Sequence, residues 1–88
     1  MVIEIIRTNR IFDKHYRKLD KRIKESAKER ERIFRDDPYN SILGTHKLHG
    51  KDSGTLAFWI NYSYRIKFTF ISKTEVLFLD IGTHDIYS

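Results

Sequence analysis

Apolar residues recur along the first part of the chain at the spacing of a helix. Phe12, Tyr16, Leu19, Ile23, Ala27 and Phe34 follow one another at four, three, four, four and seven positions, which lines them up on one helical stripe. Thr8 or Asn9 can cap its start, and Pro38 ends it, because the residue before a proline is driven out of helical geometry. Asp20 offers a second N-cap, so the pattern allows either one helix or a hairpin of two. Ahead of the stripe, Val2 to Arg7 is short, β-branched and poorly alternating, the pattern of a strand buried on more than one side.

Past Pro38 the period changes. Tyr39 to Ser53 is polar, with two glycines, and reads as a loop carrying His46, Lys47, His49 and Lys51. Leu56, Phe58 and Ile60 then alternate with Ala57, Trp59 and Asn61, and Tyr64, Ile66, Phe68 and Phe70 alternate with Arg65, Lys67 and Thr69. A three-residue connection, Asn61-Tyr62-Ser63, sets Ile60 opposite Tyr64 and keeps both apolar sets on one face. Trp59, Arg65 and Lys67 therefore share the other face. A turn at Ser72-Lys73-Thr74 leads into Val76 to Ile81, almost continuously apolar and so an interior strand. The expected fold is α+β: a mostly antiparallel four-stranded sheet with an N-terminal helical hairpin packed on one face, in the order β-α-α-β-β-β.

Length and composition narrow the function. An 88-residue chain with 40% hydrophobic content closes one modest core, so residues 1–88 are expected to form a single domain whose function sits on a surface or shallow cleft. Cysteine is absent, which removes disulfide frameworks and thiolate metal sites, and no apolar run has the roughly 20 residues of a membrane span. MVIEIIRTNR is too short in apolar residues for a signal peptide, so the expected location is the cytoplasm, with no membrane partner. The net charge of +5 favours a polyanionic partner. Residues 13 to 37 hold ten Lys/Arg against seven Asp/Glu, a mixed run suited to a solvated helix with i,i+4 pairs, and His15 within it is expected on the surface. The basic residues elsewhere, Arg65, Lys67, Lys47 and Lys51 among them, are the more informative ones.

Three short motifs in order, Leu-x-Gly at Leu48 to Gly50, Tyr-Arg-Ile at Tyr64 to Ile66 followed by Phe68, and Gly-Thr-His-Asp at Gly82 to Asp85, make the C-terminal half similar to the RelE/ParE superfamily of toxin–antitoxin toxins, particularly its mRNA-cleaving members. The resemblance implies a small microbial-ribonuclease-like fold, cleavage of mRNA usually on the ribosome, and a cognate antitoxin through which alone the complex would bind operator DNA. It also places His84 where relatives carry a C-terminal His or Arg acting as acid or phosphate ligand, and His46 where some carry a Glu or His base.

The chemistry is consistent with that resemblance. Attack on a phosphodiester by the adjacent 2′-hydroxyl needs a base, an acid for the leaving 5′-oxygen, and positive charge for the developing phosphorane, and needs neither metal nor cofactor. His84, Arg65 and His46 are the candidate catalytic residues, Arg65 as a bidentate phosphate clamp. Lys47, Lys51, Lys67, Trp59 and Tyr87 are candidate RNA-binding residues, Trp59 either stacking on a base or capping the core edge and Tyr87 either at the site or in packing. Asp80 stands near where several relatives carry a basic residue, and an acid there would repel phosphate unless it orients a histidine. Two alternatives stay open: a ParE-like toxin that binds gyrase without nuclease chemistry, and an inactive RNA-binding domain.

Overall fold

The computed structural model of the chain describes residues 1–49 and 54–87. Both candidate caps are used, and they divide the apolar stripe into two helices. The Asn9 carboxamide accepts the Phe12 backbone N–H at 2.8 Å to start α1 (Arg10–Arg17), and the Asp20 carboxylate accepts that of Ile23 at 3.0 Å to start α2 (Lys21–Asp36). Asp37 ends α2 with extended backbone, the geometry that the following Pro38 imposes.

The sheet has five strands where four were expected. They are β1 (Ile5–Thr8), β2 (His46–Lys47), β3 (Leu56–Trp59), β4 (Arg65–Phe70) and β5 (Glu75–Gly82), in the spatial order β1-β5-β4-β3-β2. All neighbours are antiparallel except β1 and β5. The extra strand, β2, lies in the stretch expected to be loop, which also holds a 3₁₀ turn at Ser41–Leu43. A two-residue edge strand can form there because pairing with one neighbour asks only for backbone groups, not for an apolar pattern. The first strand corrects a second expectation. β1 is a sheet edge rather than a strand buried on several sides, with Ile5 43% exposed, and the buried residue of that segment is Ile3, just before it. The apolar run of β5 does lie inside the sheet, between β1 and β4.

Both helices pack on one face. Phe34 of α2 is fully buried against Phe58, Phe68 and Phe78, with ring centroids 4.7, 5.0 and 5.6 Å away, and Phe12 of α1 meets Phe78 at 5.4 Å. This aromatic cluster fixes which side of the sheet faces the helices. No helix among the described residues is long and apolar enough to cross a membrane.

Candidate active site

Register determines what shares the opposite face. In β3 and β4, Trp59 pairs with Arg65, Phe58 with Ile66 and Ala57 with Lys67, and the Ile60 N–H donates to the Tyr64 carbonyl at 2.8 Å across the connection. This is the register that the three-residue connection requires. Because directly opposed residues point to the same side, Trp59, Arg65 and Lys67 stand together, away from the aromatic core. The guanidinium of Arg65 lies 6.0 Å from the centre of the Trp59 ring, within cation–π range, and Trp59 is 45% exposed.

The C-terminal segment joins this face. Arg65 is paired on its other side with Gly82 of β5, and two residues later the chain enters a 3₁₀ turn, His84–Tyr87. The turn folds back over the sheet. Lys67 Nζ donates to the Ile86 carbonyl at 3.2 Å, and a Cβ placed on Gly82 would lie 2.9 Å from Cγ2 of Ile86, so only a glycine lets the segment sit this close. His84 is presented outward with its side chain 80% exposed, its Nε2 3.6 Å from the Asp85 carboxylate. The side away from the helices is thus covered in part by the C-terminal turn, and Lys67, a candidate RNA ligand, here holds the segment that carries His84.

His46 is more distant. In β2 it pairs with Ala57, which in turn pairs with Lys67, so it belongs to the same face. Three strand spacings separate β2 from β5, which puts the His46 and Gly82 backbones about 15 Å apart. The His46 Nδ1 is 2.9 Å from the Gly44 carbonyl, which can only accept, so Nδ1 carries the proton and the lone pair of the neutral ring lies on Nε2. That is the tautomer a general base at Nε2 requires. Lys47 pairs with Leu56, and Leu56 with the core residue Phe68, so its register position is on the helix side of the sheet, not with Arg65. Lys51 and the Tyr87 side chain lie outside the described residues.

Asp80 does meet a histidine, one from the helical hairpin. Its Oδ1 is 2.6 Å from Nδ1 of His15 on α1 and accepts the Ile81 N–H at 2.8 Å. His15 is therefore a half-exposed partner of the sheet rather than a bystander on the helix surface. Two further residues, Arg30 and Tyr62, come near Arg65 although nothing in the local pattern marked them: with Ile42, Trp59, Asn61 and Arg65 they line a cleft of about 480 Å³.

No family model and no curated relative matches the chain at the sequence level. Solved structures do. YafQ from Escherichia coli superposes with a TM-score of 0.77 at 15% identity, over 92% of this chain and 93% of that one. The chain has the fold of the RelE/ParE toxins. A YoeB/ParE toxin from Agrobacterium tumefaciens superposes equally well, with a TM-score of 0.77 at 15% identity over 92% of this chain and 99% of that one. In the toxin–antitoxin complex RelBE2 from Mycobacterium tuberculosis, the matching chain is 18% identical and superposes with a TM-score of 0.72 over 94% of this chain and all of that one.

Proposed function

We propose that the chain is the toxin of a toxin–antitoxin pair and acts as a metal-independent endoribonuclease on mRNA, on the ribosome. The observation that carries this reading is the row Trp59–Arg65–Gly82 across β3, β4 and β5, with the exposed imidazole of His84 two residues beyond it. Arg65 binds the non-bridging oxygens of the scissile phosphate and offsets the charge that grows on them. The adjacent 2′-hydroxyl attacks phosphorus, closing a 2′,3′-cyclic phosphate as the bond to the 5′-oxygen breaks. His84, protonated, gives its proton to that leaving oxygen. His46 is the candidate base for the 2′-hydroxyl proton, supported by its tautomer and opposed by its distance.

A toxin needs restraint, and the exposed basic and aromatic groups suit an antitoxin segment with acidic and apolar side chains that folds as it binds. Operator DNA would be bound through that antitoxin. Induction of the chain in a bacterial host, with mapping of mRNA 5′ ends and a gyrase-supercoiling assay in parallel, tests the reading. New 5′ ends that vanish in Arg65→Ala and His84→Ala, with both variants folded, are the expected result. Growth arrest with lost supercoiling and no new ends would replace the nuclease with a gyrase-binding toxin.

A further inference from the structure

The cleft beside Arg65 has an unusual lining. Two guanidinium groups, Arg30 and Arg65, and two aromatic rings, Trp59 and Tyr62, meet there with Ile42 and Asn61, and no carboxylate is among the lining residues. Tyr62 occupies the tip of the β3–β4 connection with 98% of its surface exposed, so its ring adds nothing to the core. A solvated tip residue explains one exposed ring; it does not explain a second, Trp59, kept 45% exposed on the same cleft. The lining is also held in place. Arg30 Nη1 donates to the Ile42 carbonyl at 2.9 Å, joining α2 to the Ser41–Leu43 turn. The Trp59 ring packs beside Gly44, whose φ of +59° favours glycine; a Cβ there would make ordinary contact with the indole at 3.4 Å. Asn61 commits its side-chain oxygen to the N–H groups of Ser63 and Tyr64 at 2.9 and 2.8 Å, leaving its amide nitrogen as the donor it can offer a ligand.

Aromatic faces for bases and guanidiniums for phosphates are the combination that binds single-stranded nucleic acid, and the absence of carboxylates disfavours a cationic ligand. Arg65 belongs both to this cleft and to the row leading to His84, so whatever enters the cleft is contiguous with the reacting phosphate. We propose that the cleft is a nucleotide subsite, which takes the base next to the scissile phosphate on its aromatic wall and the outer phosphate of that nucleotide on Arg30. The proposal rests on the nuclease reading for the identity of its strand, but binding at the cleft can be measured without cleavage. Stacking on a π face tolerates every base, so the subsite positions the strand more than it selects sequence.

Trp59 is the only tryptophan in the chain, so its fluorescence reports on the cleft directly. The full chain is titrated with a 2′-O-methyl hexaribonucleotide, which cannot be cut, at low salt. Saturable quenching is expected, and Tyr62→Ala and Arg30→Gln should each weaken binding about 5- to 30-fold. Tyr62→Ala removes no buried contact, and melting curves check that Arg30→Gln remains folded. In cleavage assays both variants should raise KM more than they lower kcat. Quenching that depends on Tyr62 in a chain that cuts no RNA would remove the nuclease reading and keep the subsite. Cleavage of RNA with Trp59 unquenched, or with both variants binding as the parent does, would overturn the subsite. So would quenching by an acidic peptide and not by the oligonucleotide, which would make the cleft a protein-docking surface.

Discussion

Gly82→Ala tests whether the C-terminal turn must lie against the sheet for His84 to act. The added Cβ would stand 2.9 Å from Cγ2 of Ile86, against about 3.5–4.0 Å for an unstrained carbon contact, so one side must yield by about 1 Å. Ile86 is β-branched and stiff at χ1, so its methyl cannot simply swing aside. Relief must come from the backbone of the turn. Contacts that hold the turn include the Lys67–Ile86 hydrogen bond at 3.2 Å, a bond from the Ile86 N–H to the Thr83 carbonyl at 3.1 Å, and the packing of Ile86. Overpacking costs about 1–3 kcal/mol, comparable with the 1.5–3 kcal/mol of a charge-assisted hydrogen bond. Gly82, by contrast, is the last residue of β5 and is held by its pairing with Arg65 of β4. The turn therefore moves and the sheet stays.

A displacement of about 1 Å at a group that must meet the leaving oxygen costs on the order of 100-fold in rate. Single-turnover cleavage by Gly82→Ala should accordingly fall about 10- to 100-fold, while the melting temperature drops by about 4–8 °C for each kcal/mol of the overpacking cost. The double variant Gly82→Ala, Ile86→Ala removes the offending methyl and should recover part of the rate, a coupling that two independent lesions would not show. A rate within threefold of the parent in a folded Gly82→Ala protein would refute the reasoning, and so would a double variant no faster than the single one.

His46→Gln should cut the single-turnover rate about 100-fold and remove the dependence on a neutral group from a bell-shaped pH profile if His46 is the base; a change of only a few fold with the profile intact would assign base duty elsewhere. Asp80→Asn drops the charge facing His15 and should lower stability by about 1 kcal/mol, since the imidazole is half exposed, while leaving cleavage within threefold; a tenfold rise in cleavage would mean that the carboxylate had been opposing phosphate. Phe34→Ala empties the centre of the aromatic cluster and should cost about 3–5 kcal/mol, read as a shifted urea midpoint. Burial, and after it the Glu31 carboxylate, raise the Tyr16 phenol above its ordinary pKa, so the folded state keeps that proton longer than the unfolded chain does. Stability should thus fall as pH rises above about 10, and Tyr16→Phe should flatten that alkaline decline in urea titrations; an unchanged slope would dissociate Tyr16 from it.

The parts of this fold that could be read in advance are those where periodicity is enforced by burial. The stripe from Phe12 to Phe34 and the alternation through β3 and β4 each bury one side, so a slip of one residue would expose the set, and register follows from the spacing of Ile60 and Tyr64. The misreadings lie at edges. A β-branched run such as Val2 to Arg7 looks the same whether it is flanked by two strands or one, and β2 carries no apolar signal because its residues are exposed. Lys47 shows the consequence for the site: in a loop its direction is undetermined, but once β2 pairs with β3 it alternates with His46 and goes to the other side. Arg65 and Trp59 were readable because they sit in the alternating strands. Arg30 and Tyr62 were not, since one is part of a charged helix surface and the other of a polar connection. Only the approach of α2, the Ser41–Leu43 turn and the β3–β4 connection puts them on one cleft.

The order of groups across the sheet constrains how a substrate can lie. In the nuclease proposed above, an RNA strand crossing the row would meet the His84 imidazole by β5, then the Arg65 guanidinium on β4, then the aromatic cleft beyond β3. On that proposal, seating a base in the cleft would determine which phosphate reaches Arg65, and the C-terminal turn would determine whether an acid stands behind that phosphate. These are separable contributions. A loosened cleft lets the strand slide and weakens binding in ground state and transition state alike, so it acts on KM, whereas a displaced turn withdraws a proton donor needed only as the bond breaks, so it acts on kcat. Tyr62→Ala and Gly82→Ala alter the two ends of this row without touching the guanidinium between them. Near-additive losses, in KM for one and kcat for the other, would mean that Arg65 holds the phosphate as a fixed point; strong coupling would mean that the strand, not the arginine, transmits position along the site.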